Sequence, residues 1–560
     1  MADKIRVFAL GGLDEQGKSM TVIEINGDIF ILDCGLKFPN KTTPGIDFLI
    51  PNTSYIKENK DRVKAYIITH AHDEQIGALP YFYEVAPAPV YTTKISAIVI
   101  DKRTIFSNHR IKYNFKIINP TSSFTIAGHQ FETYQTVHNA VDSFGVAINT
   151  DQGYIVYSGE FIIDYDTRLP NFQFDLVALG KIAKNPTLLL MTESLGANKD
   201  GYCSPHHKFT NHIRPYFEES TGRIFVAAYW QNTYSLIEII NLAVQYHKKI
   251  VFYDMIAKDI VLGLRREKVF DIPESCLIEY QDVLRYPESD LLFLITGTGD
   301  EIFTDIEQLC HRQNEDKRIF LGPKDTFLLC TPPGDNLEDH YTTTVDELFK
   351  TKANVVYLKK RDVATMHARA DDLRMMLSLL KPKYYLPIRG SFTQMLDNAK
   401  LALSMGIGLN HTNVFVLDNG TCLTFDGGPR PSITNPQDID TTEMLIDGLG
   451  VGDVSTNILD ERNKLGYGGV VVISSAISKS QHIMITKPDC QMRGFVFVKD
   501  AEPLLKLITN IYIEEVAAAL KAEDFNNKEL CDKIADRVNK AVRHSLKRDP
   551  MVVPIVIEME

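Results

Sequence analysis

From about residue 205 the chain settles into a strand-then-helix rhythm, and this alternation restricts its fold more than any other feature. "RIFVAAYW" runs into "YSLIEIINLAVQYHK", "KIVFYD" into "DIVLGLRREKVF", and "LLFLITGTGDE" into "DIEQLCHRQ". Short β-rich runs, each followed by a helical pattern, are the mark of crossover connections and hence of a parallel sheet. A separate α/β domain is expected over 206–350.

The first two hundred residues read differently. "KIRVFALGG", "SMTVIEING", "DIFILDCG", "VKAYIITHAH" and "GVAINTDQGYIVYSGE" are β-rich runs divided by turn signals, with hairpin turns at Asn26-Gly27 and at 151–153. One helix is expected over 75–86. After 350, "NVVYLKK", "ADDLRMMLSLL", "YYLPIRGSF" and "MLDNAKLALSMG" resume a βαβα pattern that completes the first domain. The Pro-, Gly- and Asp-rich stretch from 426 reads as a linker. Beyond it come "GGVVVISSAI", "HIMITKP" and "GFVFV" as strands, a helix near 501–522, and a second helix in which Leu530, Ile534, Val538, Val542 and Leu546 recur every four residues behind an Asn526 or Asn527 cap. "MVVPIVIE" closes as a strand.

At 560 residues and 44% hydrophobic content, the chain is too long for one core and rich enough for two or three. A formal charge of −12 argues against indiscriminate coating of nucleic acid, though not against one basic channel. Eight cysteines without a C-x-x-C pair give neither a zinc framework nor a disulfide scaffold. With no long apolar run and no leader-like N-terminus, the expectation is a cytoplasmic protein without a membrane segment.

His70 and His72 follow the apolar run "AYIIT", two residues apart, a spacing that lets both imidazoles reach one cation. His138 ends another strand, as do Asp33 and Glu160, so ionisable groups gather at strand ends in one half of the chain.

These motifs, with "FALGGLDEQGKSM", "LDCGLKFPN", "ITHAHDEQIGALPY", "VHNAVDSFGVAI", "YSGEFIIDYD", "KPKYYLPIRGSF", "IDGLGVGDV" and "MRGFVFVKD" in the same order, resemble the metallo-β-lactamase superfamily and, within it, the ribonuclease J family. The resemblance implies an α/β fold. It comprises a four-layer αββα metallo-β-lactamase domain (1–205 plus 351–425), an inserted β-CASP α/β domain (206–350), a linker (426–445) and a small α/β C-terminal oligomerisation domain (446–560). It also implies RNA cleavage at a two-zinc site, 5′-to-3′ exonuclease and sometimes endonuclease action.

The departures from the family pattern fall on the metal ligands. H-x-H-x-D-H is here His70, Ala71, His72, Asp73, Glu74, Gln75; the bridging Asp aligns with Glu160; and the last His aligns with Arg389, whose guanidinium cannot ligate a cation. At an effective dielectric near 20, a unit charge about 4 Å from a dication costs on the order of 8 kcal/mol. At most one zinc is therefore expected, held by His70, His72 and His138 with Glu74 or Glu160 as further candidates, or none. Arg389 is the candidate replacement for the second ion, with Glu74 and Glu160 turned toward its fork; the alternative points it to solvent.

The family's phosphate-holding "HVSGHG" loop matches Val363 to Ala368, in which Thr365 and His367 survive. Lys359, Lys360 and Arg361, and "GLRREK" at 263–268, are the candidate basic clusters for RNA, and "TGTGDE", 296–301, is a weaker phosphate candidate. Glu193 stands at a family Asp whose role beside the metals is lost with them. Two functions follow. One is a single-zinc ribonuclease with Glu74 or Asp73 acting on water and His367 assisting. The other resembles the second, metal-site-degenerate paralogue of the family, weakly active or inactive, binding RNA and an active ribonuclease J partner in a homo- or hetero-oligomer. A small-molecule hydrolase would need neither the inserted domain nor the C-terminal module.

Overall fold

The computed structural model describes all residues except 1, 41–42, 107–110, 166–168, 315, 318, 335–336, 449, 452–455, 495–500, 523–525 and 560. They divide into two compact units: Met1–Phe38 with Leu49–Met444, and Pro39–Phe48 with Leu445–Glu560.

Two sheets form the heart of the first unit. One runs, in spatial order, Ser432–Thr434, Cys422–Phe425, Ile5–Gly11, Met20–Ile25, Asp28–Leu32, Val63–Ile67, Val90–Thr92 and Phe115–Ile117. The other runs Tyr384–Ile388, Thr187–Glu193, Tyr154–Tyr157, Phe144–Ile148, His129–Gln135 and Ser123–Ile126. Their facing side chains share one core: Val7, Ile23, Phe30, Leu32 and Ile67 meet Phe131, Phe144, Val146, Ile155, Met191 and Leu386. Helices cover the outer faces. Tyr66 alternates outward and its hydroxyl caps the carbonyls of Phe82 and Ala86 in and after helix Leu79–Val85, while Tyr385 reaches Asn398 in helix Phe392–Ser404. This is the αββα arrangement. The Asn26-Gly27 turn joins its strands with both residues at positive φ (52° and 96°), as a tight two-residue hairpin needs.

The expected single helix over 75–86 is two, Asp73–Ile76 and Leu79–Val85. The break falls at Gly77, where a Cβ would stand 2.3 Å from the Leu36 side chain. Part of the Pro-rich stretch after 426 is also ordered as the edge strand Ser432–Thr434.

The inserted strands form one wholly parallel sheet, Lys249–Phe252, Leu291–Gly297, Ile224–Tyr229, Thr326–Leu329 and Asn354–Tyr357. Helices Thr233–Gln245 and Met255–Arg266 are each capped by an Asx side chain: Asn232 accepts from Ser235 N and Asp254 from Ala257 N. Gly297 lies 2.9 Å, through a virtual Cβ, from Ile302, so the glycine of "TGTGDE" lets the following helix pack closely.

In the second unit, Val470–Ser478 pairs with Asp489–Arg493 on one side and in parallel with Met551–Glu558 on the other. Leu530, Ile534, Val538 and Val542 of helix Asn527–Leu546 pack with Val471, Ile473, Ile508, Tyr512 and Val516. Asn526 supplies the cap, accepting from Lys528 N. The "GFVFV" strand expectation falls largely outside the described residues. No helix among the described residues is long and apolar enough to cross a membrane.

Candidate metal centre

The site is assembled from loops that leave the carboxyl ends of strands in both sheets. His70 and His72 follow Val63–Ile67, His138 follows His129–Gln135, Glu160 follows Tyr154–Tyr157, and Arg389 follows Tyr384–Ile388. The loop after Asp28–Leu32 and Ser19, just before Met20–Ile25, clamp the 73–75 turn through backbone bonds: Cys34 N to Gln75 O (2.7 Å), Leu36 N to Asp73 O (3.0 Å) and Ser19 N to Glu74 O (3.0 Å). Only glycine fits at Gly35, where a Cβ would overlap the Glu74 carbonyl.

His70, His72, His138 and Glu160 are all buried, and one ligand atom from each lies within 4.8 Å of the others. Hydrogen bonds on the far side of each ring decide which nitrogen is bare. Thr69 Oγ1 donates to Asp33, so it accepts from His70 Nδ1 (3.0 Å) and leaves Nε2 free. His72 Nε2 donates to the Gln231 carbonyl (3.3 Å), leaving Nδ1; His138 Nδ1 donates to the Met366 carbonyl (2.7 Å), leaving Nε2. Two bare lone pairs, His138 Nε2 and His72 Nδ1, thus face each other at 3.3 Å. Two nitrogens in tetrahedral zinc coordination, each ~2.05 Å from the ion, are separated by ~3.3 Å. His70 Nε2 and Glu160 Oε2 are buried without hydrogen-bond partners, with Oε2 2.9 Å from His138 Nε2 and 3.7 Å from His70 Nε2. Burial and the neighbouring imidazoles hold His70 well below the ordinary histidine value and His72 at about 3, which keeps both as neutral ligands. The three imidazoles and one carboxylate oxygen fit one tetrahedral cation.

A second cation does not fit beside it. The other Glu160 oxygen, Oε1, accepts from Gln75 Nε2 (2.8 Å) and is in contact with Arg389 Nε. Arg389 is buried, its Nη1 donates to Ser19 Oγ (2.5 Å), and its backbone sits in the left-handed region (φ 50°). That conformation is pinned on both sides, by Arg389 N to Gly12 O (2.8 Å) and Ser194 N to Arg389 O (2.9 Å). Burial pushes the Glu160 carboxyl up, but the Arg389 guanidinium and His138 outweigh it and hold it well below the carboxylate range. Glu74 is half-buried and feels the Arg389 charge, yet burial raises its carboxyl above the ordinary value. A second ion would find a fixed cation, an amide and one disfavoured carboxylate.

The remaining candidates are distributed as follows. Asp73 is held in a two-pronged pair by Arg103, Nε to Oδ1 at 2.9 Å and Nη2 to Oδ2 at 3.2 Å, and is not among the clustered ligands. His367 lies beside His138, ring centroids 5.3 Å apart, and its Nδ1 meets Glu193 Oε2 at 2.8 Å. Glu193 therefore keeps a purpose: its Oε1 also accepts from Phe161 N and Ala368 N, and it raises His367 against the opposing effect of burial. Thr365 is exposed. Lys359 lies over the Tyr357 ring (5.0 Å), Lys360 pairs with Glu338 (3.4 Å), and Arg361 is exposed beside Asp362 (3.7 Å). Sequence reasoning missed Ser19, Gln231 and Met366. The last two act through backbone carbonyls, which leave no mark in residue type, and Ser19 meets Arg389 only across 370 residues of chain.

Comparison with known proteins follows the same lines. Residues 221–348 match the family model described as the ribonuclease J β-CASP domain, and 457–559 match that of the ribonuclease J C-terminal domain. Over 555 residues the chain is 30% identical to Ribonuclease J 2 of Staphylococcus aureus (strain NCTC 8325 / PS 47), across 99% of this chain and 98% of that one. Ribonuclease J 2 of Staphylococcus epidermidis is likewise 30% identical over 555 residues, with the same shares covered. A crystal structure of a protein of unknown function from Enterococcus faecalis V583 superposes with a TM-score of 0.53 at 16% identity, over 76% of this chain and all of that one, a likeness of fold alone. The chain belongs to the ribonuclease J family.

Proposed function

We propose that this protein acts in RNA processing and decay as an RNA-binding ribonuclease J whose own hydrolysis is weak or absent, and which supports an active ribonuclease J partner. The observation that carries the reading is the Arg389 guanidinium on Glu160 Oε1, a permanent cation in the place where the family resemblance puts a second ion. Hydrolysis of a phosphodiester by two metals relies on one to activate water and the other to stabilise the departing oxygen. Arg389 supplies positive potential but no water activation, and its charge is already shared with Glu160 and Ser19.

The residues present fit one zinc ion, held by His70, His72, His138 and Glu160. When bound, such an ion lowers the pKa of water to about 7 and polarises a phosphoryl oxygen. The chain's own groups do the rest. Met366 and Gln231 carbonyls orient two imidazoles, Arg389 and Gln75 fix the far oxygen of Glu160, and Glu193 holds the proton on His367 Nδ1 and thereby favours the charged ring. This convergence favours a second reading, a slow 5′-to-3′ exonuclease or endonuclease using one zinc.

Around the site, the lactamase domain is taken as 1–205 plus 351–425, the β-CASP domain as 206–350, and the module after 446 as the place of homo- or hetero-oligomer contact; the compartment is taken as the cytoplasm. Zinc analysis beside a cleavage assay on 5′-monophosphorylated RNA, comparing wild type with His70→Ala/His72→Ala, tests the reading. Little or no cleavage unaffected by the substitution supports it. Cleavage at the rate of an active ribonuclease J, abolished by the substitution, overturns it.

A further inference from the structure

Two loops meet just beyond the His367–Glu193 pair, and they carry cations without an acidic partner among the described residues. Gly196 and Arg369 form a β-bridge, Ala370 N donates to Lys199 O (3.0 Å), and Asp371 N donates to Gly201 O (3.1 Å). The approach is so close that a Cβ on Gly196 would come within 2.4 Å of the Ala368 carbonyl. The segment 196–201 is thereby laid against 368–371, with Arg369 two residues along from His367, whose side chain is 20% exposed at the mouth of the site.

Nearby carboxylates are already engaged. Asp371 pairs with Arg374 (2.6 Å), and Asp372 accepts backbone N–H bonds from Ile163, Cys203 and Arg369. Lys199 and Arg369 have no acidic partner among the described residues, Asp200 included, in a chain whose formal charge is −12. Desolvation and the neighbouring Arg369 charge hold Lys199 below the ordinary lysine value, as expected of two cations left side by side. Next to them Tyr202 is 41% exposed, and Tyr165, close enough to act on its hydroxyl, is 66% exposed. Unneutralised cations beside exposed aromatic faces are the two components of a single-strand nucleic-acid surface: the cations take phosphates and the rings stack on bases.

We infer that Lys199, Arg369 and Tyr202 form an RNA subsite beside the metal centre, in which the two cations hold backbone phosphates of a single strand and Tyr202 stacks on a base. This rests on the RNA-binding reading above. It places strand capture on residues separate from the metal ligands, so the subsite works whether or not an ion is bound.

The test is fluorescence anisotropy of the full-length protein with a 3′-fluorescein single-stranded oligoribonucleotide, in EDTA, at several salt concentrations. Wild type is compared with Lys199→Ala/Arg369→Ala, with Tyr202→Ala, and with Lys184→Ala/Lys324→Ala, a distant pair that removes the same charge. Removing two phosphate contacts should weaken binding and reduce the slope of log K against log salt by about 1.4, taking ~0.7 per contact for a single strand. Tyr202→Ala should weaken binding about five-fold or more while leaving the slope unchanged. The distant pair should do neither. If wild type binds and the Lys199/Arg369 variant matches the distant pair in affinity and slope, the subsite is wrong and the RNA reading stands. If wild type does not bind RNA at all, the functional reading falls and takes the subsite with it. Unchanged thermal unfolding of each variant shows that the fold is intact.

Discussion

Glu160 divides the site in two: one carboxylate oxygen belongs to the histidines and the other to Arg389 and Gln75. Both partners of the ion pair are almost wholly buried, so removing one strands the other. Arg389→Met is expected to cost about 3–5 kcal/mol in urea unfolding, and Arg389→Met/Glu160→Gln to recover most of it, because losing both charges leaves neither unpaired. If Arg389 is what bars the second ion, Glu74→Asp/Gln75→His/Glu160→Asp/Arg389→His should raise the zinc content by one per chain, and an unchanged content would show that the bar lies elsewhere. A different residue contributes pH dependence away from the site. Burial pushes the Glu238 carboxyl up to about 7, against a hydrogen bond from Thr210. The unfolded chain, with Glu near 4.3, releases that proton first, so the folded state binds more protons between these values and stability falls as pH rises from about 4.3 to about 7. Glu238 contributes a loss on the order of 4 kcal/mol above pH 7, and Glu238→Gln should make the slope shallower in unfolding measured from pH 5 to 8, the raised Asp33, Asp305 and Asp372 carboxyls supplying the remainder.

At the scale of elements, the C-terminal helix shows how far periodicity reaches. Leu530, Ile534, Val538 and Val542 are buried at every fourth position, so Ile534→Ala is expected to cost about 2–5 kcal/mol in chemical unfolding, and Asn526→Ala about 1 kcal/mol through the lost cap. An Ile534→Ala loss below ~1 kcal/mol would contradict the packing. The parallel inserted sheet and the paired sheets were legible for the same reason: burial imposes a period on residue type. What was not legible depended on tertiary neighbours. The break at Gly77 answers to Leu36, the edge strand Ser432–Thr434 is written in turn-forming residues, and Glu193 looked purposeless until His367 came to rest on it. The three histidines could be singled out because they end apolar strands, but which nitrogen of each is bare was settled by Thr69 and by the Gln231 and Met366 carbonyls.

For the molecule as a whole, family membership and site chemistry point in different directions. Family matches span the length of the chain, while a guanidinium and an amide hold the Glu160 oxygen that faces away from the histidines, where the resemblance implies ligands for a second ion. On the proposed reading, the chain keeps the family scaffold with one cation site and acts through a partner. Co-purification with an active ribonuclease J, lost on deleting residues 446–560, is the expected outcome for that role, and retention of the partner by the truncated chain would place the contact elsewhere. One cation site beside one built-in cation fixes a stoichiometry that elemental analysis of the purified full-length protein reads. No more than one zinc per chain, lost in His70→Ala/His72→Ala, is expected; two zinc ions per wild-type chain would contradict a single cation site.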